Sequence, residues 1–184
     1  MKETDRIWIL QGYNTFAFSG LPGLKVEQLA KDVGISKSSF YHHFSDIEVF
    51  TERLLQEHLK NSGLIAEKER MATSIQPELI SILIAHKVDL LFHRQLRFNA
   101  NHPGYSAALI KANALIGKDF VKLFLKDTKI PLTMDQAAGF FELALENFFL
   151  QINPDNLNQA WLTAYFDNLK EIAKKFVRPL YGNV

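Results

Sequence analysis

Apolar residues recur every three or four positions along almost the whole chain, and no stretch alternates strictly as a half-buried strand does. The first stripe, Ile7, Ile9, Leu10, Tyr13, Phe16 and Ala17, predicts a helix from about Lys2 to Ser19. Gly20-Leu21-Pro22-Gly23 ends it, because glycine tolerates a left-handed cap and proline cannot continue a helix. Val26, Leu29, Ala30 and Val33 predict a second helix over Lys25 to Val33, and Gly34 sits where the turn needs no Cβ. Ser36 reads as an N-cap between Ile35 and Phe40, which form a hydrophobic staple. A short third helix, Lys37 to His43, follows. Ser45-Asp46-Ile47-Glu48 then reads as a capping box with Phe44 and Val49 as its staple, opening a fourth helix over 46–61.

Beyond Gly63, residues 64–74 read as a charged connector. Pro77 opens a helix that carries Leu79, Ile82, Leu83, His86, Leu90 and Leu91 inward and ends near Arg97. A loop at 99–104 precedes a long helix from Tyr105 to Lys126, closed by Ile130-Pro131. Thr133 caps the next, Met134 to Ile152. Asn153-Pro154-Asp155 is a sharp turn, and a last helix runs from Leu157 to Val177, before Pro179. The fold class is all-α, without internal repeats.

The pair of short helices carries the clearest chemistry. With Phe40 and Phe44 inward at i, i+4, a 100° wheel points Ser38, Tyr41 and His42 away from the core, with Lys37 and Ser39 on the flanks. Such a face offers donors to phosphate oxygens and base edges together, as the second helix of a helix-turn-helix does in the DNA major groove. A polar helical hairpin with a solvated face fits the periodicity as well.

Composition adds limits. Of 184 residues 47% are apolar, enough for a real core, and none is cysteine, which excludes disulfides and thiol chemistry. The first residues lack the apolar run of a signal peptide, and no segment approaches the roughly 18 apolar residues of a membrane span. The expectation is a cytoplasmic protein with no membrane partner. Residues 1–62 hold seven bases (Lys2, Arg6, Lys25, Lys31, Lys37, Arg53, Lys60) against eight acids (Glu3, Asp5, Glu27, Asp32, Asp46, Glu48, Glu52, Glu57). That balance is unusual for a DNA-binding head, since neutralising phosphate dominates affinity. His42 and His43 diverge, and His86 and His93 are too far apart for one ion without a third ligand. Glu142 and Glu146 read as a solvated acidic edge. No nucleophile, metal cluster or phosphate loop suggests an enzyme, a metal or a cofactor.

The stretch Ile9-Leu10 through Phe16 to Gly20, then Val26, Leu29-Ala30, Gly34-Ile35-Ser36, Phe40-Tyr41, Phe44, Phe50 and Leu54, resembles the N-terminal domain of the TetR family of bacterial repressors. The resemblance implies a helix-turn-helix head over 1–45 and an α-helical ligand-binding and dimerisation domain over 46–184, with helix 46–61 as connector. It implies a homodimer on palindromic double-stranded operator DNA, repressing until a small effector releases it. Lys37 and Ser38 would approach base edges. Ser39, Tyr41 and His43 would contact or flank phosphate, and His42 would face the groove. Two positions depart from the family pattern. Ile47 stands where a phosphate-binding lysine is common, and Lys25 stands where a Thr or Ser commonly caps the second helix. Lys25 could restore charge there but cannot accept the cap bond. The alternative is an all-α dimeric small-molecule-binding protein whose head has weak or lost DNA affinity.

For the body the resemblance implies an effector pocket, apolar with a few polar groups. Candidates on inward faces are Phe92, His93, Phe98, Tyr105, Leu109, Asn113, Phe120 and Asn147, which suit an apolar or aromatic effector. Dimer-interface candidates are Phe140, Phe141 and Phe148, with Trp161, Tyr165 and Leu169 on the last helix. Two such faces could meet a second copy as a four-helix bundle, or could be a monomer core.

Overall fold

The structure, a computed structural model, describes residues 3–117 and 119–177. Among them are ten α-helices and no strand: α1 (Glu3–Ser19), α2 (Val26–Val33), α3 (Lys37–His43), α4 (Ile47–Met71), α5 (Ile80–Ala85), α6 (Lys87–Phe98), α7 (Pro103–Asn113), α8 (Phe120–Thr128), α9 (Met134–Gln151) and α10 (Gln159–Val177). They gather into two compact units. One holds the residues up to 64 together with 88–116. The other holds 65–87 together with the described residues from 117 on. This division differs from a boundary at residue 45, because α6 and α7 pack with α1 and the first part of α4.

In the first unit the packing begins at Phe40. Its ring is fully buried, edge-on to Trp8 at 5.3 Å and Phe50 at 5.1 Å, and beside Phe44 at 5.3 Å. Burying one such ring contributes on the order of 2 kcal/mol. Gly12, in mid-helix, is explained by the same cluster: a Cβ there would lie 2.3 Å from the Phe50 ring. Gly34 adopts φ 68°, its amide donates to Lys31, and the Ile35 amide donates to Ala30 at 3.1 Å. That Schellman closure turns the chain sharply from α2 into α3. A second aromatic group extends the core: Tyr13 stacks on Phe92 at 4.2 Å, and Phe16 meets Phe92 at 4.5 Å and Tyr105 at 5.8 Å.

Several expected boundaries move. Helix α4 does not stop at Asn61. Leu54, His58, Ser62, Ile65 and Glu69 form one buried stripe, which carries the helix through Gly63 to Met71. Asp46, not Ser45, caps α4, accepting the Val49 amide at 2.7 Å. The helix expected from Pro77 to Arg97 is broken at His86. Lys68 Nζ lies 2.8 Å from the His86 ring, and Lys87 Nζ donates to the Pro154 carbonyl. The long helix expected from Tyr105 to Lys126 is broken at Gly117, whose φ of 77° no helix accommodates.

The second unit is built on aromatic contacts among α8, α9 and α10. Phe120 meets Phe141 at 4.7 Å and Phe166 at 5.8 Å, and Phe148 meets Tyr165 at 5.4 Å. Thr133 caps α9 with a full capping box, its partner being Gln136. The Asn153 side chain accepts the amides of Asp155 and Asn156, fixing the expected turn. Asn158 caps α10 through the Trp161 amide, two residues later than expected. The Tyr165 hydroxyl donates to the Ala144 carbonyl at 2.6 Å.

These contacts involve the dimer-interface candidates within the single chain. Phe148, Tyr165 and Leu169 are buried within this unit, and Phe140, Phe141 and Trp161 are half-buried in its ring clusters. The apolar residues left outward are Leu143 (73% exposed) and Leu150 (67%) on α9, with Met134 at its start and Phe176 on α10. Adjacent Phe pairs on α9 blur the stripe, so periodicity alone could not assign its inward side.

Candidate nucleic-acid interface

The recognition helix α3 is short and held at both ends. Ser36 caps it by accepting the Ser39 amide at 3.3 Å, and the Phe44 amide closes onto Phe40 at 2.8 Å. Phe40 anchors its inner side. The outer side carries Lys37, Ser38, Tyr41 and His42, all exposed. Tyr41 is 48% exposed, its ring edge-on to Phe40 at 5.4 Å. Ser38 Oγ lies 3.0 Å from Ser36 Oγ, and Ser39 is half-buried.

Lys37 does not stand alone. Its ammonium forms an ion pair with Glu27 of α2 and lies 6.0 Å above the Tyr41 ring. The hydrogen bond from Lys37 holds the Glu27 carboxyl below its ordinary range, and the same bond raises the lysine. Lys25 is exposed at the N-cap of α2, in extended backbone, and makes no side-chain cap bond. At the start of α4, amide and hydroxyl bonds from Val49 and Ser45 hold the Asp46 carboxyl low. Ile47 is half-buried beside it.

His43 departs from its expected place. It is half-buried and turned toward α1, with Nδ1 2.7 Å from Asp5 Oδ1. It borders a cleft of about 390 Å³ lined by Asp5, Ile9, Phe44, Arg53, Gln56, Glu57 and Lys60. Position i+3 from Phe40 faces a flank, and Asp5 draws the imidazole inward.

Behind the head, the first unit holds a polar network in which the candidates His93 and Asn113 are joined by Tyr13, His58, Asn61 and Asp89, which the sequence did not single out. The Tyr13 hydroxyl donates to Asp89 at 2.8 Å and lies 2.8 Å from His58 Nδ1. Asn61 also donates to Asp89. His58 Nε2 is 3.2 Å from His93 Nδ1, and His93 Nε2 is 2.9 Å from Asn113 Oδ1, which accepts from Arg97 as well. Burial, then the neighbouring His93, pushes the His58 imidazole well below its usual range. Burial, then the Arg97 charge, brings His93 down to about 3. Burial, then the Asp89 charge, raises the Tyr13 phenol. Both imidazoles are therefore neutral at pH 7. Spacing four residues apart on α4, His58 and Ser62, was the available signal.

Of the pocket candidates, the first unit brings His93 and Asn113 into contact and buries Phe92 and Tyr105, while Leu109 is half-buried. Phe98 is a correction: it is 51% exposed, under the Arg94 guanidinium at 4.3 Å, because α6 ends there. Phe120 is buried in the second unit. Asn147 is the other correction, exposed on α9 and bonded to Gln151 one turn on. Among the described residues no three His, Asp or Glu side chains are grouped to hold a metal, and no helix is long and apolar enough to cross a membrane.

Comparison with known proteins agrees with this geometry. Residues 8–54 match the family model of the bacterial regulatory proteins, tetR family. No curated protein matches the chain. Among solved structures, a protein assigned to the TetR-family transcriptional regulators from Mesorhizobium loti MAFF303099 superposes with a TM-score of 0.62 at 21% identity, over 94% of this chain and 95% of that one. One similarly assigned from a Rhodococcus species gives 0.55 at 16%, over 96% and 97%. At such identities the solved structures speak for the fold alone. Over residues 8–54, the helix-turn-helix head of this chain is similar to the bacterial regulatory proteins of the tetR family.

Proposed function

We propose that this regulator binds palindromic operator DNA as a homodimer, represses from it in the cytoplasm, and is released by a small apolar or aromatic effector. The observation that carries the reading is the outer face of α3: Lys37, Ser38, Tyr41 and His42 all exposed on a helix anchored from behind by a fully buried Phe40. In the major groove Lys37 and Ser38 reach base edges. Tyr41 and Ser39 meet phosphate, His42 faces the groove, and Lys25 meets the backbone from the start of α2. His43, engaged with Asp5, supports α3 rather than touching DNA.

The homodimer reading draws on the outward side of α9 and α10. Leu143 and Leu150 project there, Gly139 has open space around it, and Ala160 and Ala164 are exposed on α10. Small and aliphatic residues on two helices suit a four-helix bundle with a second copy. The effector reading draws on a polar pair, His93 and Asn113, in the same unit as the buried rings of Phe92 and Tyr105.

A second reading has its own observation. With Lys37 paired to Glu27 and Ile47 where a phosphate-binding lysine is common, the head offers few uncommitted cations, as in a binding protein that has lost DNA affinity. Fluorescence anisotropy with duplexes from the gene's upstream region, over a salt series, separates the two. A log–log slope of about −4 to −5, from four to six phosphates per dimer, supports the regulator reading. Absent or salt-insensitive binding supports the second.

A further inference from the structure

We propose that Glu27 is a specificity-determining positioning residue that withholds Lys37 from DNA of arbitrary sequence, an inference that rests on the DNA-binding reading above. The ion pair joins the first turn of α2 to the first residue of α3, and both side chains remain well exposed, so DNA can compete for it. The lysine lies over the Tyr41 ring, which fixes its ammonium on the flank of the recognition face. Four other acids of the head have partners elsewhere. Asp5 takes His43, Asp32 takes Gln28 and Gln11, Asp46 takes the Val49 amide, and Glu57 takes Lys60. Glu27 reaches from α2 to Lys37 at the start of α3.

The physical consequence follows from exchange of partners. If Lys37 leaves Glu27 for a phosphate oxygen, one anion replaces another, and a bare carboxylate is left facing the duplex well within a Debye length of about 10 Å. On arbitrary sequence the exchange gains little, so Lys37 stays with Glu27 and releases no counterion from the DNA. A guanine edge presents two acceptors to one ammonium in the major groove, which a single phosphate oxygen does not. Lys37 therefore transfers on a matching site and not elsewhere. Glu27 therefore lowers non-specific affinity more than specific affinity.

The test is a double-mutant cycle on the full-length protein with a random-sequence duplex three helical turns long, read by anisotropy across a salt series starting near 50 mM. Glu27→Gln keeps the side-chain shape and removes the charge. It should tighten binding several-fold at low salt and steepen the slope by about 2 per dimer, from one freed lysine per protomer. In the Lys37→Ala background the same change should leave the slope unaltered. Equal steepening in both backgrounds, or none in either, overturns the inference while leaving DNA binding intact. If no variant binds the duplex even at low salt, the DNA-binding reading falls and takes this inference with it. Circular dichroism melting should be the same for all four proteins, because both positions are exposed.

Discussion

Glu69 should make the protein less stable as pH rises through the range just below neutrality. It lies on the last part of α4, 7% exposed, and accepts the Gly117 amide at 2.8 Å. Burial pushes its carboxyl up to about 7. The Gly117 bond opposes that rise, and the Asp119 charge adds to it. The ordinary value is 4.5. Between 4.5 and 7 the folded state therefore holds a proton that the unfolded state has released. The carboxyl is fully accommodated below the lower value, and that stability is lost as pH climbs to the upper one. That difference corresponds to about 3 kcal/mol. Glu69→Gln cannot ionise, and its carbonyl oxygen still accepts the Gly117 amide. Urea unfolding of both proteins at pH 5 and pH 8 isolates the effect. The variant should exceed the wild type by under about 1 kcal/mol at pH 5 and by up to about 3 kcal/mol at pH 8. A variant less stable than wild type at both values would refute the reasoning, because the charged hydrogen bond would then outweigh the cost of burial.

Three further outcomes are expected. Gly12→Ala should destabilise by about 1–3 kcal/mol in thermal melts, since the new methyl meets the Phe50 ring and the clash outweighs alanine's helix preference. Tyr41→Phe should weaken binding to every duplex by about fivefold, the scale of one hydrogen bond to phosphate, without altering sequence preference in a site-selection assay. Leu143→Glu should convert a dimer into a monomer in light scattering while leaving the helical signal unchanged, because Leu143 is 73% exposed in the single chain.

The head was legible because its signals are local. Gly34 needs a left-handed turn, Ser36 needs the amide three residues on, and Phe40 and Phe44 share a face by helix geometry alone. Thr133 and Gln136 announced α9 in the same way. What stayed hidden depends on partners distant in sequence. The inner stripe of α4 continues through His58, Ser62 and Glu69, polar residues that periodicity reads as solvent-facing until Tyr13, the His58 carbonyl and Gly117 are seen to satisfy them. His43 turned inward for Asp5, and Lys37 was claimed by Glu27, across helix pairs whose packing no local pattern specifies. Gly117 breaks a long apolar run through its positive φ, and the Phe141 ring fills the space a Cβ would take there.

The phenol of Tyr13 offers a built-in spectroscopic reporter. Its proton is enclosed between a carboxylate and an imidazole, under the face of Phe92, and shut off from water. Such a proton exchanges slowly enough to be observed by magnetic resonance downfield of the crowded amide region. One unlabelled sample would then reveal, through a single line, whether the helices that enclose it have parted.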